Sequence, residues 1–86
     1  MKYEDIYLVL QDYLVEMFEI PKERISPDAR LYEDLGLDSI DAIDLVVKLQ
    51  KITKRKFKPE DFKSVRTMGD VVSRTFDLLH DSGRHG

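Results

Sequence analysis

The chain has 86 residues, a formal net charge of −3, 42% hydrophobic residues and no cysteine. That length makes one small domain, near the size at which a single core only just suffices, and the missing cysteines exclude a disulfide framework and any thiolate metal site. No run approaches the roughly 18 apolar residues of a membrane span. Lys2, closely followed by Glu4 and Asp5, is unlike a secretory leader, so a cytoplasmic chain is expected.

Tyr3, Ile6, Tyr7, Leu10, Leu14, Met17 and Phe18 recur at helical spacing and predict an amphipathic first helix over residues 3–19. Glu4 and Asp5 suit its positive end, and Pro21 stops it. Residues 20–37 hold Pro21, Pro27 and Gly36 without a sustained period, and a connection this long is functional or disordered. Leu31, Tyr32, Leu35 and Leu37 give it apolar anchors, so it is expected to pack onto the helices.

A second helix starts at Asp38, a good N-cap, with Asp41 three residues on completing a capping-box pattern. Ala42, Leu45, Val46, Leu49 and Ile52 fall on one face of this helix and are expected to be buried. Ile40, Ile43 and Val47 form a second stripe on roughly the opposite side, edged by Asp41, Asp44, Lys48 and Lys51. A short apolar strip edged by charge suits docking; the alternative is that Ile43 completes the core while Ile40 and Val47 are single exposed apolar residues, which are ordinary. Pro59-Glu60-Asp61-Phe62 reads as one short helical turn with proline at its first position. Thr67-Met68-Gly69-Asp70 opens a last helix with Met68, Val71, Val72, Phe76 and Leu79 on its apolar side. The domain is expected over residues 1–80, followed by a frayed tail at 81–86. The fold class is all-α: three longer helices and one short third helix, with a long loop between the first two.

Charge divides the chain. Residues 1–44 carry 12 acidic and 4 basic side chains, and residues 45–86 carry 5 acidic and 10 basic. Such a split bears on partners rather than on fold.

The most informative residue is Ser39. It stands where the irregular, glycine-containing segment turns into the second helix, so its hydroxyl is expected to be exposed at a helix start. Nothing near it in sequence can activate it as a catalytic nucleophile. His80 and His85 lie at or beyond the end of the last helix, and Asp38, Asp41 and Asp44 lack the spacing of a calcium loop. Neither an enzyme nor a metal site is expected. The basic run Lys54-Arg55-Lys56-Phe57-Lys58 has one aromatic residue and sits on an acidic chain, a poor nucleic-acid signal.

The run Asp34-Leu35-Gly36-Leu37-Asp38-Ser39-Ile40, followed by Asp41-Ala42-Ile43-Asp44-Leu45-Val46, resembles the acyl carrier proteins of fatty-acid and polyketide synthesis. The likeness spans roughly residues 3–80, with isoleucine at position 40 where leucine or methionine is usual. It implies a four-helix bundle whose Ser39 carries 4′-phosphopantetheine, placed there from coenzyme A by a phosphopantetheinyl transferase. The cargo would then be a thioester on the arm, folding back between the helices. The resemblance further implies that Asp38, Asp41 and Asp44 meet basic patches on partners, with Ile40 and Val47 as apolar anchors. Implied partners are acyl-transfer and condensing enzymes such as ketosynthase, acyltransferase, reductase and dehydratase, serving a monomeric carrier. Many members stay acidic throughout the second helix and beyond, whereas here Lys48 to Lys58 is basic, which truncates the acidic surface and points to a dedicated pathway, or else is a solvated helix end favoured by the negative C-terminus. An aminoacyl or peptidyl carrier, and a four-helix interaction module that is never modified, remain as alternatives.

Overall fold

A computed structural model describes residues 2–81, with three α-helices, α1 (Tyr3–Phe18), α2 (Ser39–Thr53) and α3 (Met68–Asp81), and two 3₁₀ turns, Lys22–Arg24 and Pro59–Phe62. The expected short third helix is the second of these turns, so the α-helices among the described residues number three. Residues 82–86 of the expected tail, including His85, lie outside the described residues. No helix among the described residues is long and apolar enough to cross a membrane.

The three α-helices and the second 3₁₀ turn begin in a common way. An aspartate in the first turn reaches back to an N–H group that the helix itself leaves without a partner. Lys2 N donates to Asp5 Oδ2 at 3.0 Å, Asp38 N to Asp41 Oδ2 at 3.1 Å, Lys58 N to Asp61 Oδ2 at 2.9 Å and Thr67 N to Asp70 Oδ2 at 3.1 Å. At α3 the box is reciprocal, because Asp70 N donates to Thr67 Oγ1 at 3.1 Å. The N–H groups of Arg66 and Thr67, in that order, hold the Asp70 carboxyl below its ordinary range. α1 ends at Glu19, two residues before Pro21, in a left-handed cap with φ 55°.

α1 packs on α3, and Ile6, Leu10, Leu14, Leu49, Met68 and Val72 are fully buried. Each large apolar side chain so buried contributes about 1.5–3 kcal/mol. Met17, placed by its spacing on the core face of the first helix, is instead largely exposed.

The long connection between α1 and α2 is ordered by two devices. Ile20, Ile25, Ala29, Leu31, Leu35 and Leu37 are buried in the core, while Tyr32, expected as an anchor, lies about half exposed. The connection is also stitched to the start of α3: Leu31 N donates to Arg66 O at 2.9 Å, Met68 N to Ala29 O at 2.9 Å and Gly69 N to Pro27 O at 2.8 Å. The first two bonds make an isolated antiparallel bridge, Arg30 with Thr67. Gly69 permits the approach, since a Cβ there would stand 2.9 Å from the Pro27 carbonyl oxygen. Gly36, at φ 71°, supplies the left-handed turn that returns the chain to Asp38. These bonds fix where α2 begins.

Candidate functional site

Asp38 caps α2 in extended conformation, and its Oδ1 accepts from Ile40 N at 3.0 Å and Asp41 N at 2.9 Å. With Asp41 returning the bond to Asp38 N, both carboxylates beside Ser39 are held by backbone N–H groups. Two of the three acidic residues expected on the docking strip therefore shape the helix start. Asp44 is exposed, and its carboxylate makes no ion pair or hydrogen bond among the described residues. A pairing of Asp44 with Lys48, four residues on, is absent. Lys48 Nζ lies over the Tyr13 ring instead, 5.3 Å from its centroid, a cation–π contact. The Tyr13 hydroxyl is pushed above its usual range, first by burial and then by the nearby Asp44 and Asp41 charges.

Ser39 occupies the first position of α2. It is exposed, and its hydroxyl makes no hydrogen bond among the described residues. The capping box fixes the backbone under it, so the side chain is presented without being engaged. No histidine or other basic group is hydrogen-bonded to it. The outward stripe is present as expected from periodicity, with Ile40, Ile43 and Val47 exposed to 69%, 47% and 41%. Leu45, Val46 and Leu49 on the opposite face are buried, and Ala42 and Ile52 are half buried.

Ser39 also lines a cleft of about 290 Å³. Its interior is apolar, with Leu45, Val46, Leu49, Phe62 and Val71 from α2, the second 3₁₀ turn and α3. The turn is held in place from three sides: Phe57 N donates to Gln50 Oε1 at 3.0 Å, Arg74 Nε donates to Asp61 O at 2.8 Å, and Phe57 stacks edge-on against Phe62 at 5.9 Å. Exposed Lys63 and Arg66 line the same cleft. Sequence reasoning missed both, because they belong to no periodic element and only the tertiary fold brings their segment alongside Ser39. Gln50 and Tyr13 were missed for a related reason, since a polar or aromatic residue on a helix does not announce which loop or cation it will hold.

A serine-borne phosphodiester fits these residues. The hydroxyl is free and solvent-facing, the backbone beneath it is rigid, and an apolar cleft opens beside it.

Comparison with known proteins agrees. Residues 9–74 match the family described as "Phosphopantetheine attachment site". The chain is 56% identical over 64 residues to "Acyl carrier protein 2" of Ralstonia nicotianae, covering 74% of this chain and 79% of that one. An "Acyl carrier protein" of Saccharopolyspora erythraea is 33% identical over 79 residues, 92% of this chain and 83% of that one. Another from Syntrophobacter fumaroxidans is 35% identical over 68 residues, 79% of each chain. The group that such a chain bears is phosphopantetheine, and its role is that of a carrier rather than a catalyst. The chain belongs to the acyl carrier protein family.

Proposed function

We propose that residues 1–80 form an acyl carrier whose arm is attached at Ser39, serving a fatty-acid, polyketide or related dedicated pathway in the cytoplasm. The observation that carries this reading is the position of Ser39, unengaged at the first residue of α2 and at the edge of an apolar cleft. In this reading the turn Pro59–Phe62 takes the place of the third helix of the family's four-helix bundle.

When bound, phosphopantetheine supplies the thiol that holds acyl groups as thioesters, chemistry a cysteine-free chain does not supply itself. The chain's own residues present, orient and shelter. Ser39 Oγ becomes the ester oxygen of the phosphodiester, and because no base touches it here, the transferase must take its proton. Leu45, Val46, Leu49 and Phe62 offer the cargo an apolar refuge. The cleft, about 290 Å³ and partly open to solvent, lies directly beside the attachment point.

Docking falls to Ile40 and Val47 as apolar anchors and to Asp44 as the free charge, with Asp38 and Asp41 contributing negative potential from within the cap. The partners are a phosphopantetheinyl transferase and acyl-handling enzymes of the ketosynthase, acyltransferase, reductase and dehydratase classes. Lys48 and the cations after it confine the acidic patch to the first two turns of α2. Partner choice follows charge pattern more than contact area, so this confinement favours dedicated partners.

Intact mass after incubation with coenzyme A and a broad-specificity phosphopantetheinyl transferase tests the assignment. The wild-type chain is expected to gain one phosphopantetheinyl group and Ser39→Ala none, with helical circular dichroism unchanged. Addition to Ser39→Ala, or none to folded wild type, contradicts it.

A further inference from the structure

The cleft beside Ser39 is apolar inside and cationic at its mouth. Three cations that do not line the cleft are occupied elsewhere. Arg30 pairs with Glu33 at 2.9 Å and Asp34 at 3.4 Å, Lys48 covers Tyr13, and Arg74 donates to the Asp61 carbonyl. Lys63 makes no ion pair or side-chain hydrogen bond among the described residues, although it lines the cleft and is exposed. Arg66 is held in place without being neutralised by an ion pair. Its Nη1 donates to Lys63 O at 3.3 Å and Val65 O at 3.1 Å, while its own carbonyl accepts from Leu31 N at 2.9 Å. One edge of the guanidinium is thus fixed on carbonyls, leaving Nε and Nη2 for an anion, a geometry that suits two-pronged recognition. Asp70 is the acidic group bonded to this segment: its carboxylate accepts from the Arg66 and Thr67 N–H groups and also feels the Arg66 charge, without closing an ion pair with it.

We propose that Lys63 and Arg66 form an anion clamp at the mouth of the Ser39 cleft, for a phosphodiester or carboxylate borne on that serine. The proposal rests on attachment at Ser39. Two sources supply the anion: the phosphodiester, which lies one bond from Ser39 Oγ, or a carboxylate on a cargo such as a malonyl group. The clamp lowers the mobility of the arm's root and biases the loaded group toward the cleft.

The test uses the full chain as apo, holo, acetyl-holo and malonyl-holo forms, each verified by intact mass, in wild type and in Lys63→Gln/Arg66→Gln. Melting temperature and the ³¹P resonance of the phosphodiester are read at low and high salt. A clamp on the phosphodiester gives a holo-minus-apo rise of a few °C at low salt and a displaced ³¹P resonance. Both effects fade in salt and in the double variant. A clamp on cargo leaves holo and apo alike but raises malonyl-holo above acetyl-holo, and this gap also vanishes in the variant. Either pattern supports the proposal. Because each comparison is made within one variant, loss of the Arg66 bonds to carbonyls cancels, and Arg66→Lys is expected to restore part of the effect. Equal differences in wild type and double variant overturn the clamp while leaving attachment intact. A chain that gains no arm overturns the attachment reading and the clamp with it.

Discussion

The two apolar faces of α2 are built from the same kinds of residue and have opposite fates. Leu45, Val46 and Leu49 turn inward and are buried, while Ile40 and Val47 turn outward on the same helix and Ile43, about half exposed, stands between them at the edge of the Ser39 cleft. For a helix of 15 residues in a chain of 86, one apolar face suffices to anchor it. The second face adds apolar surface in water without adding core. The difference separates residues that hold the fold from residues that meet a partner, and substitutions on the two faces should part accordingly.

The largest effect belongs to the inward face. Leu49 is fully buried and lines the Ser39 cleft. Leu49→Ala is expected to cost about 2–5 kcal/mol, the transfer loss plus the cavity left behind. Because the new void joins an existing cleft, the value should fall in the lower half of that range. Urea unfolding monitored by circular dichroism measures it. A loss under about 0.5 kcal/mol, the size of ordinary surface effects, would mean that the inward face is not what anchors α2.

The helix start lies between the two faces, and there one residue has both a structural and an electrostatic role. Asp38→Ala removes the acceptor for Ile40 N and Asp41 N and is expected to cost about 0.5–2 kcal/mol. Asp38→Asn keeps a good capping oxygen while removing the charge, so it should retain most of that stability. If Asn and Ala are equally damaging in urea unfolding, charge rather than capping holds the helix start. The pair of variants also divides docking from folding, since a transferase rate that falls in Asp38→Asn reports the charge alone.

Local chemistry made the helices, the cap of α2 and its two stripes legible in the sequence, because period, capping residues and Pro59 act over a few neighbours. Ser39 could be singled out for the same reason: it follows Gly36 and the cap residue Asp38 directly. Tertiary outcomes were not legible. Lys48 has the spacing to pair with Asp44 but lies over Tyr13, a residue on another helix. The 3₁₀ turn at Lys22–Arg24 was absorbed into the long connection, and the bridge from Arg30 to Thr67 joins segments 37 positions apart with no strand pattern in either. Lys63 and Arg66 reach the cleft only through that stitching.

The smallest stability effect belongs to the outward face, and there the contrast is sharpest. Ile40 is among the most exposed large apolar side chains described, so Ile40→Ala is expected to change unfolding free energy by no more than about 0.5 kcal/mol. Its backbone N–H, which Asp38 accepts, survives the substitution, and alanine is the better helix former. If Ile40 anchors a partner, truncation should nevertheless cost binding on the order of 1 kcal/mol, about fivefold in kcat/KM for arm transfer to Ser39. Progress curves with coenzyme A and the transferase, run beside urea unfolding of the same preparations, read both quantities. An unchanged rate would return Ile40 to the class of ordinary surface apolar residues and leave Val47 and Asp44 to carry docking. A slowed rate with unchanged stability assigns the outward face to partners, since a residue that contributes only to packing cannot lose one without the other.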